Sequence, residues 1–559
     1  MKPATINLEK KARLSLRFLQ ASLDKKYYIP YFYIVFQEDP AEFRHHSYWD
    51  FCENPARHLY GMLFSRLVTG ENKTKPVEAR LRETIYSNFS ENDGMSYRPA
   101  STVFGISKHA TDLWENRSIF TALYMSYLVD KDKKAKKCAD GIIEGLQKFA
   151  IKKGNGCYFS KHTYNPGYKP GKNEAPVVGQ NMGGWLTPLV KYYEYTGNKK
   201  AFSLACGLAN FLVEYLKKGI WFSNSDFNTH SMMFTLAGIL RLAGHTGNKK
   251  HIEWVKKQFD YIIKVYGSSF GWIAEQALSN KESLKHGYTQ SCESCTVTDA
   301  IDTAMLLAKS GYPQYWNIAE KFIRNYFDQA QLTDSSWMTR SASLRARKED
   351  TIVSSFKNIP QRSLGCYVGW GGINDFVHPA AKRRKTVQNC CGPHCAYGTF
   401  LIWNNIVTKT KEGVWINLSL NRDTKWAQVN SYIPYEGKVE ITMRTNADLH
   451  VRIPGNVNKN AVNVYVNGNK INKILQEGYI VVKNLKIGQQ AVVEYPLEIE
   501  KKSEKVMGKE YKLEWKGDTV INISPSGKIA PFFKRTELKT AKAQFEKTKY
   551  NNTESPVNW

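Results

Sequence analysis

The chain has 559 residues, of which 42% are apolar and 13% aromatic. That exceeds what one hydrophobic core organises and excludes a disordered or fibrous chain. Lys plus Arg number 79 against 51 Asp plus Glu, giving a formal charge of +28. Such an excess suits nucleic acid or an acidic polymer. Yet the basic residues are scattered through turns such as Lys131-Asp132-Lys133-Lys134, and the densest cluster, Lys382-Arg383-Arg384-Lys385, is four residues long. No aromatic-interleaved basic motif accompanies them, so a lysine-rich surface is the favoured reading. Specific nucleic-acid binding is not expected, and acidic polysaccharide stays open as a partner.

The N-terminus has no apolar run suited to a signal peptide, and no segment approaches transmembrane length. A cytoplasmic protein without membrane contact is the expectation, unless a leader has been trimmed. From about residue 8 to about 410 one unit recurs: an apolar helix, a short polar turn, then an amphipathic helix. Thr69-Gly70, Thr196-Gly197 and Thr246-Gly247 mark three such turns, and TGNKK occurs twice, 50 residues apart. Glycine there suits a helix C-terminus, which needs the left-handed conformation. Ala205, Leu208, Leu212 and Tyr215 recur at helical spacing, as do Ile318, Phe322, Ile323, Tyr326 and Phe327. Serial helical hairpins of this kind predict an (α/α) toroid or an open helical solenoid.

Near Gly413 the period changes. Val414–Leu418, Val439–Met443 and Val462–Val466 alternate, with turn signals at Asn467-Gly468 and Lys516-Gly517-Asp518. The expected organisation is a mainly α protein with a β appendage: a helical catalytic domain over 1–412, a β-sandwich over 413–535, and a polar tail over 536–559.

Two fragments carry chemistry: Tyr288-Thr289-Gln290-Ser291-Cys292-Glu293-Ser294-Cys295 and Asn389-Cys390-Cys391-Gly392-Pro393-His394-Cys395. Six of the ten cysteines fall between Cys292 and Cys395. Their crowding suits reduced thiols better than a disulfide scaffold, which would be short and evenly spaced. Three thiolates and one carboxylate fill a tetrahedral zinc site and keep the sulfurs deprotonated. The adjacent pair needs an irregular turn to share one hole, which Gly392-Pro393 supplies. Spacing alone ranks a metal site first, structural before catalytic, with plain buried cysteines as the alternative.

Glu293-x-Cys295 followed downstream by Cys390-Cys391 resembles the β-L-arabinofuranosidases of glycoside hydrolase family 127 and their relatives. Gly369-Trp370, Asn374-Asp375, Val451-Arg452-Ile453-Pro454-Gly455 and Gly517-Asp518-Thr519-Val520 with Pro531 and Arg535 extend the likeness over most of the chain. The resemblance implies an (α/α)6 barrel with β-sandwich domains, and zinc held by Glu293, Cys295, Cys390 and Cys391. It also implies that Cys390 is the nucleophile of a retaining hydrolase, a thiolate variant of the two-carboxylate scheme.

Glu275 is the candidate general acid, placed at about the family's distance before Glu-x-Cys, with Glu282 as rival. His230, Tyr288, Trp370, Asn374 and Asp375 are candidate sugar contacts. Helix capping, core packing and a Gly-rich turn with a capping Asp are their structural alternatives. Two histidines that would contact arabinose are missing: the region of Gly183-Gly184 has none, and His230 is displaced. The expected substrate is an oligo- or polysaccharide ending in β-L-arabinofuranose or a similar sugar. A polysaccharide lyase, a uronate-processing enzyme, or a non-catalytic carbohydrate-binding protein with structural zinc are the competing readings.

Overall fold

The structure, a computed structural model, describes residues 1–36, 41–46, 51–171, 174–177, 180–217, 228–276, 291–338, 349–377 and 386–559. Twelve long helices organise the first 405 residues. They are α1 (Leu8–Ala21), α2 (Glu53–Thr69), α3 (Lys75–Tyr86), α4 (Leu113–Asp130), α5 (Lys133–Phe149), α6 (Leu186–Thr196), α7 (Lys199–Leu216), α8 (Thr229–Thr246), α9 (Lys249–Tyr266), α10 (Ser294–Lys309), α11 (Tyr315–Phe322) and α12 (Cys391–Asn405). The repeated TGNKK phrase shows how one hairpin is made. Gly197 and Gly247 end their helices at φ 70° and 66°, where a side chain would be strained. Asn198 and Asn248 then cap the next helix, accepting from the Ala201 and His251 backbone N–H at 3.0 and 3.2 Å.

The even-numbered helices form a closed inner ring. α2 packs on α4, α4 on α6, α6 on α8, α8 on α10 and α10 on α12, and α12 returns to α2. Each odd-numbered helix lies outside against its neighbours. Burial follows the ring. α2, α10 and α12 are buried on nearly every face, whereas α9 buries the stripe His251, Val255, Phe259, Ile262 and Tyr266. The serial helical hairpins read from the sequence are thus present, each packed on the next. No described helix is long and apolar enough to cross a membrane.

A small antiparallel sheet, β1 (Tyr33–Val35), β2 (Glu42–Arg44), β3 (Ser354–Ser355) and β4 (Thr386–Gln388) in the order β3-β2-β1-β4, leads into α12. Beyond it the chain becomes β-rich. A five-stranded sheet runs Val407–Lys409, Val414–Ile416, Ala447–Arg452, Tyr479–Leu485, Ile474–Gln476, with one parallel pair. A six-stranded antiparallel sheet runs from Arg422–Asp423 to Asn469–Ile471, and three strands cover 499–524. Asn467-Gly468 turns at φ 49° and 83°, the two positive values that a two-residue hairpin requires.

The tail expected to be merely polar returns to the helical ring. Trp559 is 5% exposed, with its ring 5.2 Å from Phe64, 5.7 Å from Tyr397 and stacked over Tyr124. Its carbonyl accepts from Asn405 Nδ2 at 2.9 Å, while Tyr195 OH and Lys191 Nζ donate to the Asn558 carbonyl. An indole packed among three helices and held by its own backbone closes one end of the ring. Trp559→Ala should therefore cost about 3–5 kcal/mol, read from the denaturant midpoint. A loss below about 1 kcal/mol would show that the ring closes without it.

Candidate active site

The first turns of the inner helices meet at the end opposite Trp559. Cys295 lies in the first turn of α10, Cys391 opens α12, and Cys390 is its cap residue. Cys295 Sγ and Cys391 Sγ are 3.0 Å apart, and Cys390 Sγ and Cys391 Sγ are 4.0 Å apart. All ten cysteines are free thiols. The irregularity that lets adjacent cysteines converge lies on the N-terminal side of Cys390, not at Gly392-Pro393, which sit within the first turn of α12. Asn389 fixes it: its backbone N–H donates to Phe32 O at 2.7 Å and its amide to Tyr31 O at 3.0 Å. Pro393 costs nothing in a helix's first turn, where N–H groups have no intrahelical partner.

These three thiols form a group able to hold a metal ion. A tetrahedral ion with metal–sulfur bonds of about 2.3 Å sets its sulfurs about 3.8 Å apart. The observed separations bracket that spacing, and a set of buried thiols suits zinc. Glu293, buried at the cap position of α10, makes no capping hydrogen bond. Its charge helps to raise the Cys391 thiol, but the group of side chains that converge closely enough to share an ion holds the three cysteines and not Glu293.

The thiols divide electrostatically. Cys390, the one half-exposed member, is held well below the ordinary thiol range by hydrogen bonds from Cys295 and Cys391 and by the nearby Arg57 guanidinium. Cys295 is pushed up by burial and by its thiol neighbours. In Cys391 the Cys295 contact lowers the thiol, but Cys390 and burial raise it on balance. Arg57 is itself buried and anchored to Glu53 at 2.5 Å.

One turn deeper lies a second group. Asp299 Oδ2 is 2.7 Å from His230 Nδ1, and Asp299 Oδ1 is 2.9 Å from His394 Nε2. Burial alone would raise the Asp299 carboxyl, but the two imidazoles hold it well below the usual range. Burial lowers His230 in turn. This trio also meets the geometry for a cation. His230 was a candidate from the sequence, but Asp299 and His394 were not. A helical reading would have found them, because Cys295/Asp299 and Cys391/His394 are (i, i+4) and (i, i+3) pairs on adjacent helix faces.

Glu275 lies at the same end of the ring. Its backbone bridges the start of α8, where Thr229 N donates to Glu275 O at 2.9 Å, and the approach to α10, where Glu275 N donates to Ser291 O at 2.8 Å. Its carboxylate accepts from Ser291 Oγ at 2.7 Å. Trp370, half-buried, precedes Gly371, which exchanges backbone hydrogen bonds with Cys292. Tyr288 and Glu282 lie outside the described residues.

Asn374 and Asp375 depart from the expected sugar-binding role. Asn374 Nδ2 donates to Ile523 O and Pro525 O, both at 3.2 Å. Asp375 accepts from the backbone N–H groups of Lys528, Ile529 and Ala530 at 2.7–2.9 Å. Both side chains therefore clamp the β-rich region, the capping use that the sequence had left as an alternative.

Residues 80–331 match the family model of the β-L-arabinofuranosidase GH127 catalytic domain. Over that stretch, a little under half of the chain, it is similar to a glycosidase catalytic domain. No curated protein sequence matches the chain. Among solved structures, a family 127 β-L-arabinofuranosidase from Geobacillus stearothermophilus T6 superposes with TM-score 0.58 at 13% identity. That match covers 92% of this chain and 80% of the other. A second family 127 β-arabinofuranosidase gives TM-score 0.61 at 15% identity, covering 92% and 79%. These two share the helical core and the C-terminal β-rich region.

The depressed Cys390 thiol makes a pH prediction. A thiol held below the ordinary range carries more thiolate than its neighbours at any given pH, so Cys390 should be alkylated faster than the rest at about pH 7 and its rate should rise less steeply with pH. The other nine thiols should react slowly at about pH 7 and faster as pH rises. Iodoacetamide labelling with peptide mapping checks this; first labelling at Cys138 or Cys206 would contradict it.

Proposed function

We propose that the chain is a retaining, zinc-dependent glycosidase in which Cys390 is the nucleophile and Glu275 the general acid. Its substrate would be a glycan of plant type ending in β-L-arabinofuranose or a similar sugar. The observation that carries this reading is the asymmetry of the thiol cluster. Of three sulfurs at the converging helix ends, the one least buried is also the one whose thiolate is most favoured. The closed double ring of six inner and six outer helices is read as an (α/α)6 barrel, and the sheets beyond Val407 as β-sandwich layers.

In this mechanism Cys295, Cys390 and Cys391 would hold zinc, with Glu293 as the expected fourth ligand. When bound, zinc supplies positive charge that keeps the sulfurs deprotonated at neutral pH. Cys390 Sγ attacks the anomeric carbon as the bond to the leaving oxygen breaks, and Glu275 gives that oxygen its proton. A thioglycosyl-enzyme results. Water then attacks the same carbon, Glu275 takes the water's proton, and the carbon–sulfur bond breaks to return the thiolate. Two displacements leave the anomeric configuration unchanged. Arg57 steadies the thiolate, and Glu53 fixes Arg57.

Cys390→Ser should lower kcat/KM on a responsive nitrophenyl glycoside by roughly 10⁴-fold or more, while an electrophilic sugar analogue should label Cys390 of the wild type. Full hydrolysis by the serine variant would discard the thiolate mechanism. Glu275→Gln should lower kcat by about 10²–10⁴-fold on substrates with poor leaving groups, and much less on nitrophenyl glycosides, which need little protonation. Equal losses on both would remove Glu275 from the acid role.

A further inference from the structure

The carboxylates lining the ring beneath the thiol cluster are each matched by a cation or an imidazole. Glu53 is paired with Arg57, Asp302 with Arg241 at 2.6 Å, and Asp299 with His230 and His394. One cation is left over. Arg117 lies on α4, one turn beyond Trp114, and among the described residues its guanidinium forms no ion pair and donates no hydrogen bond. It is held by aromatic faces instead: its central carbon is 3.7 Å from the Trp114 ring and 5.2 Å from that of Phe234. Stacking fixes the guanidinium plane while leaving its N–H edge without acceptors.

Arg117 lines an open pocket inside the ring together with Asp299, Asp302, His394, Gly184 and Trp559. Asp299 and His394 lie one helical turn from Cys295 and Cys391, so the pocket adjoins the thiol cluster. Arginine does not lose its proton in a protein, so a desolvated guanidinium without an anion carries a standing cost. Burial and the neighbouring Arg57 charge pull Arg117 down to about 10, and the more distant Glu53 and Asp299 carboxylates offset this only in part. The Cys390 thiolate is stabilised first by hydrogen bonds from Cys295 and Cys391 and then by Arg57, so Arg117 is not its main partner. A neutral sugar would leave Arg117 as it stands, whereas a carboxylate would give it two parallel hydrogen bonds.

We propose that this cavity receives a sugar bearing a carboxylate, and that Arg117 reads that carboxylate through its free edge. The inference rests on the glycosidase reading above and narrows its substrate to an acidic glycoside. His394 and Arg117 then face the same bound ring from α12 and α4.

Binding rather than turnover gives the test, so that failure of the nucleophile assignment does not obscure it. Isothermal titration of the full chain would use D-galacturonate and D-glucuronate, their methyl esters, and inorganic phosphate. The expected result is that at least one free acid binds tenfold or more tighter than its ester. Arg117→Met, which preserves bulk between the two rings, should erase that preference, and Arg117→Lys should retain part of it. Should the methionine variant unfold, the lysine variant still decides, since an unchanged acid preference there would exclude bidentate reading. Acids binding no tighter than esters would overturn the proposal, and so would phosphate binding as tightly as the acids, which would mark a simple anion site. Cys390→Ser should keep the acid preference, so losing hydrolysis but not binding separates the two readings.

Discussion

α10 and α12 lie side by side in the inner ring, and the closeness of that contact governs the chemistry. Gly398 of α12 has no Cβ where Thr298 of α10 presses in, since a Cβ there would meet the threonine methyl at 2.7 Å. With the axes so near, residues at matching turns face each other. The first turn gives Cys295 and Cys391 with sulfurs 3.0 Å apart, the second gives Asp299 and His394, and the third gives Asp302 and Tyr397 with a 3.4 Å hydrogen bond. Three polar layers thus descend the ring at the spacing of a helical turn. A shift of either helix by one residue would break all three together.

The closed ring explains why such polarity is tolerated inside. Six inner helices are buried on most faces, so their interior polar groups must be satisfied by one another. Salt bridges and shared hydrogen bonds do this in turn: Glu53 with Arg57, Asp302 with Arg241, Asp299 between two histidines. Converging helix N-termini add partial positive charge where the thiols gather, which favours thiolate. The same convergence gives Cys390 its mixed character, close to buried sulfurs on one side and open on the other.

The periodic part of this molecule was legible in the sequence because it rests on local rules. Gly70, Gly197 and Gly247 end helices where they were expected to, and Asn467-Gly468 makes its hairpin. The convergence of Cys295, Cys390 and Cys391 was legible because crowded cysteines are rare. Asp299 and His394 were not, although His394 stood within a quoted fragment and Asp299 one helical turn past the other, because their meaning depends on which helix faces which. Arg117 was less visible still. Nothing in Glu115-Asn116-Arg117-Ser118 distinguishes a guanidinium facing a cavity from one in solvent.

The phrases that carried the family resemblance beyond the cysteines turn out to share a mechanical theme. Arg452, in the Val451–Gly455 phrase, donates to Asn417 O and Asn317 Oδ1 and pairs with Glu320, tying a strand to α11. Asn374 and Asp375 grip residues 523–530, and Arg535 donates to Asn325 Oδ1, which also receives Val520 N–H. Each joins the helical ring to the β-rich region through buried, multiply hydrogen-bonded groups, where losing one partner leaves another unsatisfied. A segment can therefore look characteristic of a family because it docks two layers, without touching substrate.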